Sequence, residues 1–265
     1  MTLLAEDHRK EVDLWFQDRL EALKAEDGWL HLTDRVEIDP GRYRLGRDAT
    51  NDLQISAGPD HLGILELSQD GLALLMTDQG ALAFVAAQGG NPMLKVGGLL
   101  LERMLVEGQY ALRVRDLTLP ARHAFSDIPR YPVDPAWRIT AQWQALDQPE
   151  QLAIALKGGI DSSVSVTHSA SFDYQGQRVT LLVTHWKSGD PMLVFRDPTA
   201  GAETYGAARF LIGHVSGDQV VLDFNTAYNP PCAFTDHAVC PLPPRQNILP
   251  FPIRAGEKLP DEGVS

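Results

Sequence analysis

Cysteine is nearly absent from this sequence, which holds two in 265 residues. Small secreted domains that rely on disulfides need several pairs, so the count excludes that class. Both cysteines, Cys232 and Cys240, stand near the C-terminal end. In a cytosolic protein we expect both thiols to be reduced.

Long apolar runs are also missing. No stretch reaches the roughly 18 residues that a membrane-spanning helix needs. The longest candidates, residues 71–76 and 81–87, are separated by polar residues. The first residues lack the basic region and apolar core of a secretory leader. We therefore predict a soluble, cytoplasmic protein that has no membrane partner.

Basic residues are in deficit, with 23 Lys and Arg against 35 Asp and Glu, which gives a formal net charge of -12. An acidic surface repels the phosphate backbone of DNA and RNA. We therefore predict that nucleic acid is not a partner.

The common catalytic and cofactor motifs are missing as well. The chain has no Gly-x-Ser-x-Gly elbow, no His-Glu-x-x-His helix, no P-loop and no Gly-x-Gly-x-x-Gly turn. We expect no cofactor. A hydrolase stays open as a hypothesis, because catalytic groups converge in space rather than in sequence.

What is present first is an amphipathic helix, predicted over residues 6–27. Val12, Phe16, Leu20 and Leu23 recur at steps of four and three, which places them on one helical stripe. Charged residues occupy the opposite face, so we predict that the stripe packs across a sheet.

The rest of the chain reads as short strands between turn signals. We predict a mainly β protein, in which the N-terminal helix (1–29) precedes two packed antiparallel β units, sandwich- or barrel-like, at residues 30–116 and 117–265. Five prolines in residues 117–150 rule out a long helix and predict a connector there, with residues 137–141 as a strand that opens the second half. Gln175–Gly176 predicts a hairpin, and residues 207–215 are expected to pair with 219–224.

A proline-rich tail, residues 222–258, closes the chain. Each proline fixes its own φ and restricts its predecessor, so the tail is predicted to be rigid, to fold back over the last sheet and to close a polar cavity. Arg209 is expected to contact a polar or anionic ligand there. Alternatively, Asp223 neutralises Arg209 internally. The side chains predicted to bind the ligand are Tyr205, Arg209, Asp223, Asn225, Tyr228 and Asn229.

Three chemistry-bearing residues in the tail, Cys232, His237 and Cys240, have the spacing Cys-x4-His-x2-Cys. They could supply three ligands of a zinc site, although the usual Cys-x2-Cys knuckle is missing. The two cysteines could also form a disulfide or redox pair if their Cα atoms lie within about 7 Å. We favour the third alternative, two buried structural thiols.

Three functional hypotheses follow. The leading one is a small-molecule binding protein with its pocket in the C-terminal β unit. The second is a hydrolase-type enzyme in the same pocket, with Asp223 or His237 as general base. The third is a protein-interaction module acting through the N-terminal sandwich.

The N-terminal half carries a partial resemblance. Residues 43–47 and 51–55 resemble the opening of a forkhead-associated β-sandwich, in which a Gly-Arg pair contributes to phosphothreonine recognition. The Ser-x-x-His element of that family is replaced here by the sequence from Asp60 to Gly63. The resemblance therefore implies a similar sandwich without the phosphopeptide site.

A wider resemblance rests on residues 195–211 and on the Pro-Pro-Cys and Cys-Pro-Leu-Pro-Pro elements within residues 222–244. Together with the opening helix and the following Asp-Gly-Trp-Leu, these segments resemble the bacterial and archaeal family catalogued as domain of unknown function 1684. That family has no assigned reaction, so the resemblance implies relatives but no activity.

Overall fold

The computed structural model describes residues 2–86, 90–119, 125–157 and 159–260. It confirms a mainly β protein with one N-terminal α-helix. No helix within the described residues is long and apolar enough to cross a membrane.

The chain divides into two compact units. The sandwich unit is Ala22–Ser126, and the C-terminal unit combines Met1–Glu21 with Asp127–Ser265. This division differs from the predicted one, because most of the helix α1 (Thr2–Lys24) groups with the C-terminal unit rather than standing alone.

The sandwich unit contains two five-stranded sheets, in the orders β1-β10-β9-β8-β7 and β3-β2-β4-β5-β6. Neighbouring strands are antiparallel except β2 and β3. The strands are β1 (Leu32–Ile38), β2 (Gly41–Gly46), β3 (Leu53–Gln54), β4 (Gly63–Leu67), β5 (Ala73–Thr77), β6 (Gly80–Ala83), β7 (Val85–Ala86), β8 (Pro92–Val96), β9 (Leu99–Val106) and β10 (Gln109–Asp116).

One apolar core joins the two sheets. Leu101 and Leu112 come from the first sheet, and Leu45, Leu65 and Leu75 come from the second; all five side chains are fully buried. Residues that alternate along each strand supply this core, as expected for sheets with one solvated face. The predicted sandwich is therefore present.

The C-terminal unit contains one seven-stranded antiparallel sheet in the order β13-β12-β11-β17-β16-β15-β14. Its strands are β11 (Arg138–Leu156), β12 (Ile160–Tyr174), β13 (Gln177–Leu182), β14 (His185–Lys187), β15 (Asp190–Phe195), β16 (Arg209–Ser216) and β17 (Gln219–Asp223). The hairpin at Gln175–Gly176 and the pairing of β16 with β17 are confirmed.

The predicted connector is too long. Residues from Arg138 onward belong to β11, and the pairing of β11 with β12 is irregular between Ala145 and Glu150. Pro149 lies in that irregularity, where a residue without an N–H group interrupts no ladder hydrogen bond. A proline that argues against a helix is thus compatible with a strand that contains a bulge.

The tail folds back over this sheet. Leu249, Ile253 and Ala255 are buried in the same core as Phe195 and Phe224. This part of the tail covers an apolar core and the enclosed Arg209 side chain, rather than the polar cavity that the sequence predicts.

The helix α1 packs within the C-terminal unit through the predicted stripe. Val12 and Phe16 are buried, and the Trp15 ring lies 5.7 Å from that of Tyr228, centroid to centroid. Arg130 stands over the Phe16 ring, with its guanidinium carbon 4.4 Å from the ring centroid.

Candidate functional site

Arg209, the predicted ligand contact, is 1% exposed and fully occupied by internal partners. Its guanidinium donates hydrogen bonds to the carbonyl oxygens of Ala255 and Ile253 and to the carboxylate of Asp197. Internal neutralisation, the structural alternative, therefore agrees with this geometry. The neutralising residue is Asp197 rather than Asp223, which lies elsewhere.

The Asp197 carboxylate also organises the turn that follows it. Its Oδ1 accepts hydrogen bonds from the backbone N–H and the hydroxyl of Thr199, at 2.7 and 2.6 Å. The Thr199 hydroxyl is 2.8 Å from that of Thr204. An Asp that bonds the backbone two residues on is the usual Asx turn. The sequence from Asp197 to Thr204 is therefore a structural motif.

Asp223 pairs with the helix. Its Oδ2 lies 2.6 Å from Nε2 of His8, and both residues are buried. Its Oδ1 accepts hydrogen bonds from the backbone N–H and the side-chain amide of Asn225, at 3.0 and 2.9 Å. Nδ1 of His8 is buried and lacks a hydrogen-bond partner within the described ranges. This dyad orients an imidazole whose second nitrogen is unoccupied.

Asn229 belongs to a second buried network, around Glu257. The Glu257 carboxylate accepts a hydrogen bond from the Asn229 backbone N–H at 2.6 Å and one from Nε of Arg19 at 3.1 Å. Nη2 of Arg19 donates to the Asn229 carbonyl oxygen at 2.9 Å. Burial raises the pKa of Glu257, and the Arg19 charge opposes that shift.

Tyr228 packs against Arg19, beside the network around Glu257. It is 5% exposed, and burial raises the pKa of its hydroxyl to about 12. The guanidinium carbon of Arg19 stands 4.9 Å from the centre of the Tyr228 ring. Burial and stacking against Arg19 are features of a structural side chain. The main role of Tyr228 is therefore to pack against helix α1.

Cys232 and Cys240 are in contact. The backbone N–H of Cys232 donates to Sγ of Cys240 at 3.2 Å, and both thiols are free and buried. The Tyr205 hydroxyl donates to the Cys232 carbonyl at 2.7 Å, and Nζ of Lys157 donates to the same oxygen at 3.3 Å. Lys157 also pairs with Asp236 at 3.2 Å.

These surroundings treat the two thiols differently. Hydrogen bonding from the Cys240 thiol, aided by the Tyr205 hydroxyl and the Lys157 charge and opposed by burial, lowers the pKa of Cys232 to about 7. The same hydrogen bond and burial raise the pKa of Cys240.

His237 does not join the thiols in a metal-binding arrangement. Its backbone N–H donates to the Thr235 hydroxyl at 3.2 Å. Nowhere in the described part of the chain do three or more His, Cys, Asp or Glu side chains form a group that could hold a metal ion. The geometry brings Cys232 and Cys240 together without a third zinc ligand.

A recess of about 320 Å³ opens beside the helix. Its polar lining includes Asp13, Gln17, Asp127 and Arg130, and Phe16 and Leu20 supply apolar wall. The volume is near the lower end of the usual range for small-molecule pockets, about 300 to 1,000 Å³. Nη2 of Arg130 pairs with Asp13 at 3.1 Å.

One guanidinium nitrogen of Arg130 makes no hydrogen bond within the described part of the chain. Its Nη1 is buried and has no hydrogen-bond partner among the residues that the structure describes. The side chain is 30% exposed, in contrast to the enclosed Arg209.

The sandwich unit has its own recess, of about 440 Å³. It is lined by residues that include Arg44, Asn51, His61 and Asp78. Arg44 is held by two side-chain hydrogen bonds to the Asp52 carboxylate, at 2.9 and 3.1 Å. His61 Nδ1 lies 3.2 Å from the Asn51 side-chain oxygen. The principal basic group of this recess is therefore already paired.

Sequence reasoning missed several groups that matter here. The Asp-x-Thr spacing at residues 197–199 is an available signal for a turn. His8 and Glu257 carry no such signal, because their partners Asp223 and Arg19 lie 215 and 238 residues away. In the sequence Lys157 is an isolated charge, and Arg130 is one of several arginines between residues 113 and 138.

Comparison with known proteins gives relatives without an activity. None of the curated proteins matches the chain. A solution NMR structure of an uncharacterised protein of Haloarcula marismortui is 31% identical, covers 52% of this chain and 78% of its own, and superimposes with a TM-score of 0.42. The model of the family described as "Protein of unknown function (DUF1684)" matches residues 123–258. That match spans half of the sequence, and the chain belongs to the DUF1684 family.

Proposed function

We propose that the C-terminal unit binds a small anionic ligand in the recess beside the helix, with Arg130 as the contacting cation. The observation that carries this proposal is the buried, unpartnered Nη1 of Arg130, a residue that lines that recess. A buried donor without an acceptor is costly, by about 1–3 kcal/mol, and a ligand oxygen would remove that cost.

The walls suggest the kind of anion. Phe16 and Leu20 offer apolar surface beside the guanidinium, whereas Asp13 and Asp127 disfavour a second negative charge. A monocarboxylate with an apolar body fits this combination better than phosphate or a dicarboxylate. The buried side chains Arg209, Asp223 and Asn229 would then form the framework behind the recess rather than its contact surface.

A thermal-shift series tests this proposal. Benzoate should raise the melting temperature, acetate less, and succinate and inorganic phosphate least, since a ligand that binds only the native state stabilises it by RT ln(1 + [L]/Kd). Arg130→Met should abolish the benzoate response. Arg178→Met is the matched control, because Arg178 is half exposed and pairs with Asp173 outside the recess. Equal responses in both variants would contradict the assignment.

A hydrolase is the second candidate, and one observation favours it. Asp223 orients His8 at 2.6 Å and leaves Nδ1 of that imidazole unoccupied, which is the arrangement of an oriented general base. His8 would act on the substrate, and Asp223 would position it. If p-nitrophenyl esters are turned over, His8→Gln and Asp223→Asn should each reduce kcat, while His237→Ala should not. Turnover that survives both of the first two variants would exclude this candidate.

A further inference from the structure

The two cysteines are held in position from both sides. Pro231 precedes Cys232 and Pro241 follows Cys240, and each proline fixes its own φ. The backbone N–H of Lys157 donates to the Cys240 carbonyl at 2.8 Å, and the Tyr205 hydroxyl and the Lys157 ammonium both bind the Cys232 carbonyl. The two thiols therefore remain neighbours without a covalent bond between them.

The separation suits a disulfide. Sγ of Cys240 is 3.2 Å from the Cys232 nitrogen. It thus lies within about 4.7 Å of the Cys232 Cα atom, since the N–Cα bond adds only about 1.5 Å. The Cys232 thiol is attached to that Cα atom, so rotation about its Cα–Cβ bond can turn its sulfur toward Sγ of Cys240.

The surroundings distinguish the two sulfurs. Cys232 is close to a fixed positive charge, because Nζ of Lys157 lies 3.3 Å from its carbonyl oxygen. Cations stabilise thiolates, and the thiolate is the nucleophile in thiol chemistry. Cys240 is 2% exposed against 4% for Cys232, and its Sγ accepts a hydrogen bond from the Cys232 backbone N–H. The Lys157 side chain, which contacts the Cys232 carbonyl and pairs with Asp236, is 36% exposed.

We propose that Cys232 and Cys240 form a peroxide-reactive site, in which Cys232 is attacked first and Cys240 resolves it to a disulfide. In the first step the Cys232 thiolate attacks one oxygen of a hydroperoxide. An S–O bond forms, the O–O bond breaks, the sulfur loses two electrons, and the second oxygen leaves as hydroxide or alkoxide and takes a proton from water.

In the second step the Cys240 sulfur attacks the sulfenic sulfur of Cys232. The S–S bond forms, the S–O bond breaks, and the leaving hydroxide combines with the Cys240 proton as water. These two reaction steps need no oxidant other than the hydroperoxide. An added dithiol would return both cysteines to thiols.

Mass spectrometry of the full chain tests the proposal. The reduced wild-type protein, treated with hydrogen peroxide, should lose about 2 Da and yield a 232–240 disulfide peptide that dithiothreitol cleaves. Cys240→Ser should stop at the sulfenic acid, which dimedone traps on Cys232. Cys232→Ser should leave Cys240 unmodified over the same time.

Lys157 supplies the second arm of the experiment. In the Cys240→Ser background, Lys157→Met should slow dimedone trapping several-fold, and Lys157→Arg should restore most of the rate because it keeps the charge. A melting curve of each variant establishes that it is folded. The wild-type measurement tests disulfide formation without any variant. Two intact thiols after peroxide treatment would overturn the proposal. Equal oxidation rates for Cys232→Ser and Cys240→Ser would overturn the assigned order.

Discussion

Both units hold a buried ion pair between residues 12 or 13 positions apart, and the C-terminal unit adds a pair between distant segments. In the sandwich unit the buried pair of Glu102 and Arg115, 2.8 Å apart, joins the adjacent strands β9 and β10 and spans only 13 residues. In the C-terminal unit, Arg19 pairs with Glu257 across 238 residues. The Glu102–Arg115 pair thus stabilises a hairpin in the sandwich unit. The Arg19–Glu257 pair, of similar chemistry, joins the two ends of the chain in the C-terminal unit.

This contrast gives the two kinds of contact different consequences. A hairpin brings its strands together by chain connectivity, so a pair within it adds to contacts that form early. Closing a loop of more than 200 residues costs conformational entropy that the surrounding contacts must offset. The helix and the tail of the C-terminal unit should therefore depend more on individual buried groups than the strands of the sandwich unit do.

The largest effect is expected from Asp197→Ala. It leaves the Arg209 charge buried without its carboxylate, and breaking a buried pair in this way costs about 3–5 kcal/mol. Urea unfolding measures the loss. Asp52→Ala, in the sandwich unit, removes the partner of Arg44 at the surface and should leave the midpoint of unfolding nearly unchanged. Equal losses in the two variants would contradict the enclosed position of the Asp197–Arg209 pair.

Two glycines with almost the same backbone angle give the next comparison. Gly256 has φ 78° and Gly108 has φ 79°. A Cβ atom at Gly256 would come within 2.4 Å of the Ala227 carbonyl oxygen, whereas one at Gly108 would meet open space. Gly108→Ala should cost about 1 kcal/mol, from the left-handed conformation alone. Gly256→Ala should cost roughly 3 kcal/mol, because overpacking adds to that strain. A larger fall in melting temperature for Gly108→Ala than for Gly256→Ala would contradict the packing of the tail around Gly256.

A smaller effect, about 1–3 kcal/mol, is expected for Glu257→Gln, because one carboxyl oxygen becomes an NH2 group that cannot accept the hydrogen bond from Arg19 or from the Asn229 backbone. Hydrogen exchange should show faster opening of helix α1 amides, since the contact between Arg19 and residue 257 is weakened. Glu102→Gln is the matched variant of the sandwich unit and should speed exchange in β9 and β10 while sparing the helix. Faster helix exchange in both variants would show that the helix does not depend on Glu257.

The smallest effect is a difference in the sign of pH dependence. The hydrogen bonds from Arg44 lower the pKa of Asp52 to about 2, whereas burial raises that of Glu257 above its usual 4.5. The Asp52 contribution to stability is therefore present above pH 3.8 and is lost as the pH falls toward 2. Glu257 has the opposite sign, since its ionisation above pH 4.5 destabilises the folded state. Carboxyl carbon NMR titrations should place the two midpoints on opposite sides of their ordinary values.

The local architecture was largely predictable from the sequence. Alternation along residues 219–224 placed Val220, Leu222 and Phe224 on one face, and all three are fully buried. The helical stripe and the Gln175–Gly176 hairpin are confirmed as well. The strand expected at residues 137–141 is the start of β11, but the connector prediction failed at residues 142–150, because proline excludes a helix there and not a strand, and β11 accommodates Pro149 at a bulge.

The candidate site was less predictable. The sequence pointed to Arg209 because it is basic and near a strand end, but position along a strand does not reveal exposure. The structure encloses Arg209 beside Asp197 and leaves Arg130 with an unpartnered nitrogen instead. Which arginine is satisfied depends on oxygens contributed by distant backbone, such as the Ala255 carbonyl.

The sequence by itself determined the fold class and the pairing of neighbouring strands, because hydrophobic periodicity and turn residues act over a few positions. Only the tertiary structure decided that His8 meets Asp223, that Arg19 meets Glu257 and that Lys157 reaches Cys232. The physical reason is that such pairings join segments of 75 to 238 residues' separation. Their formation depends on how a whole core closes, and no local pattern encodes it.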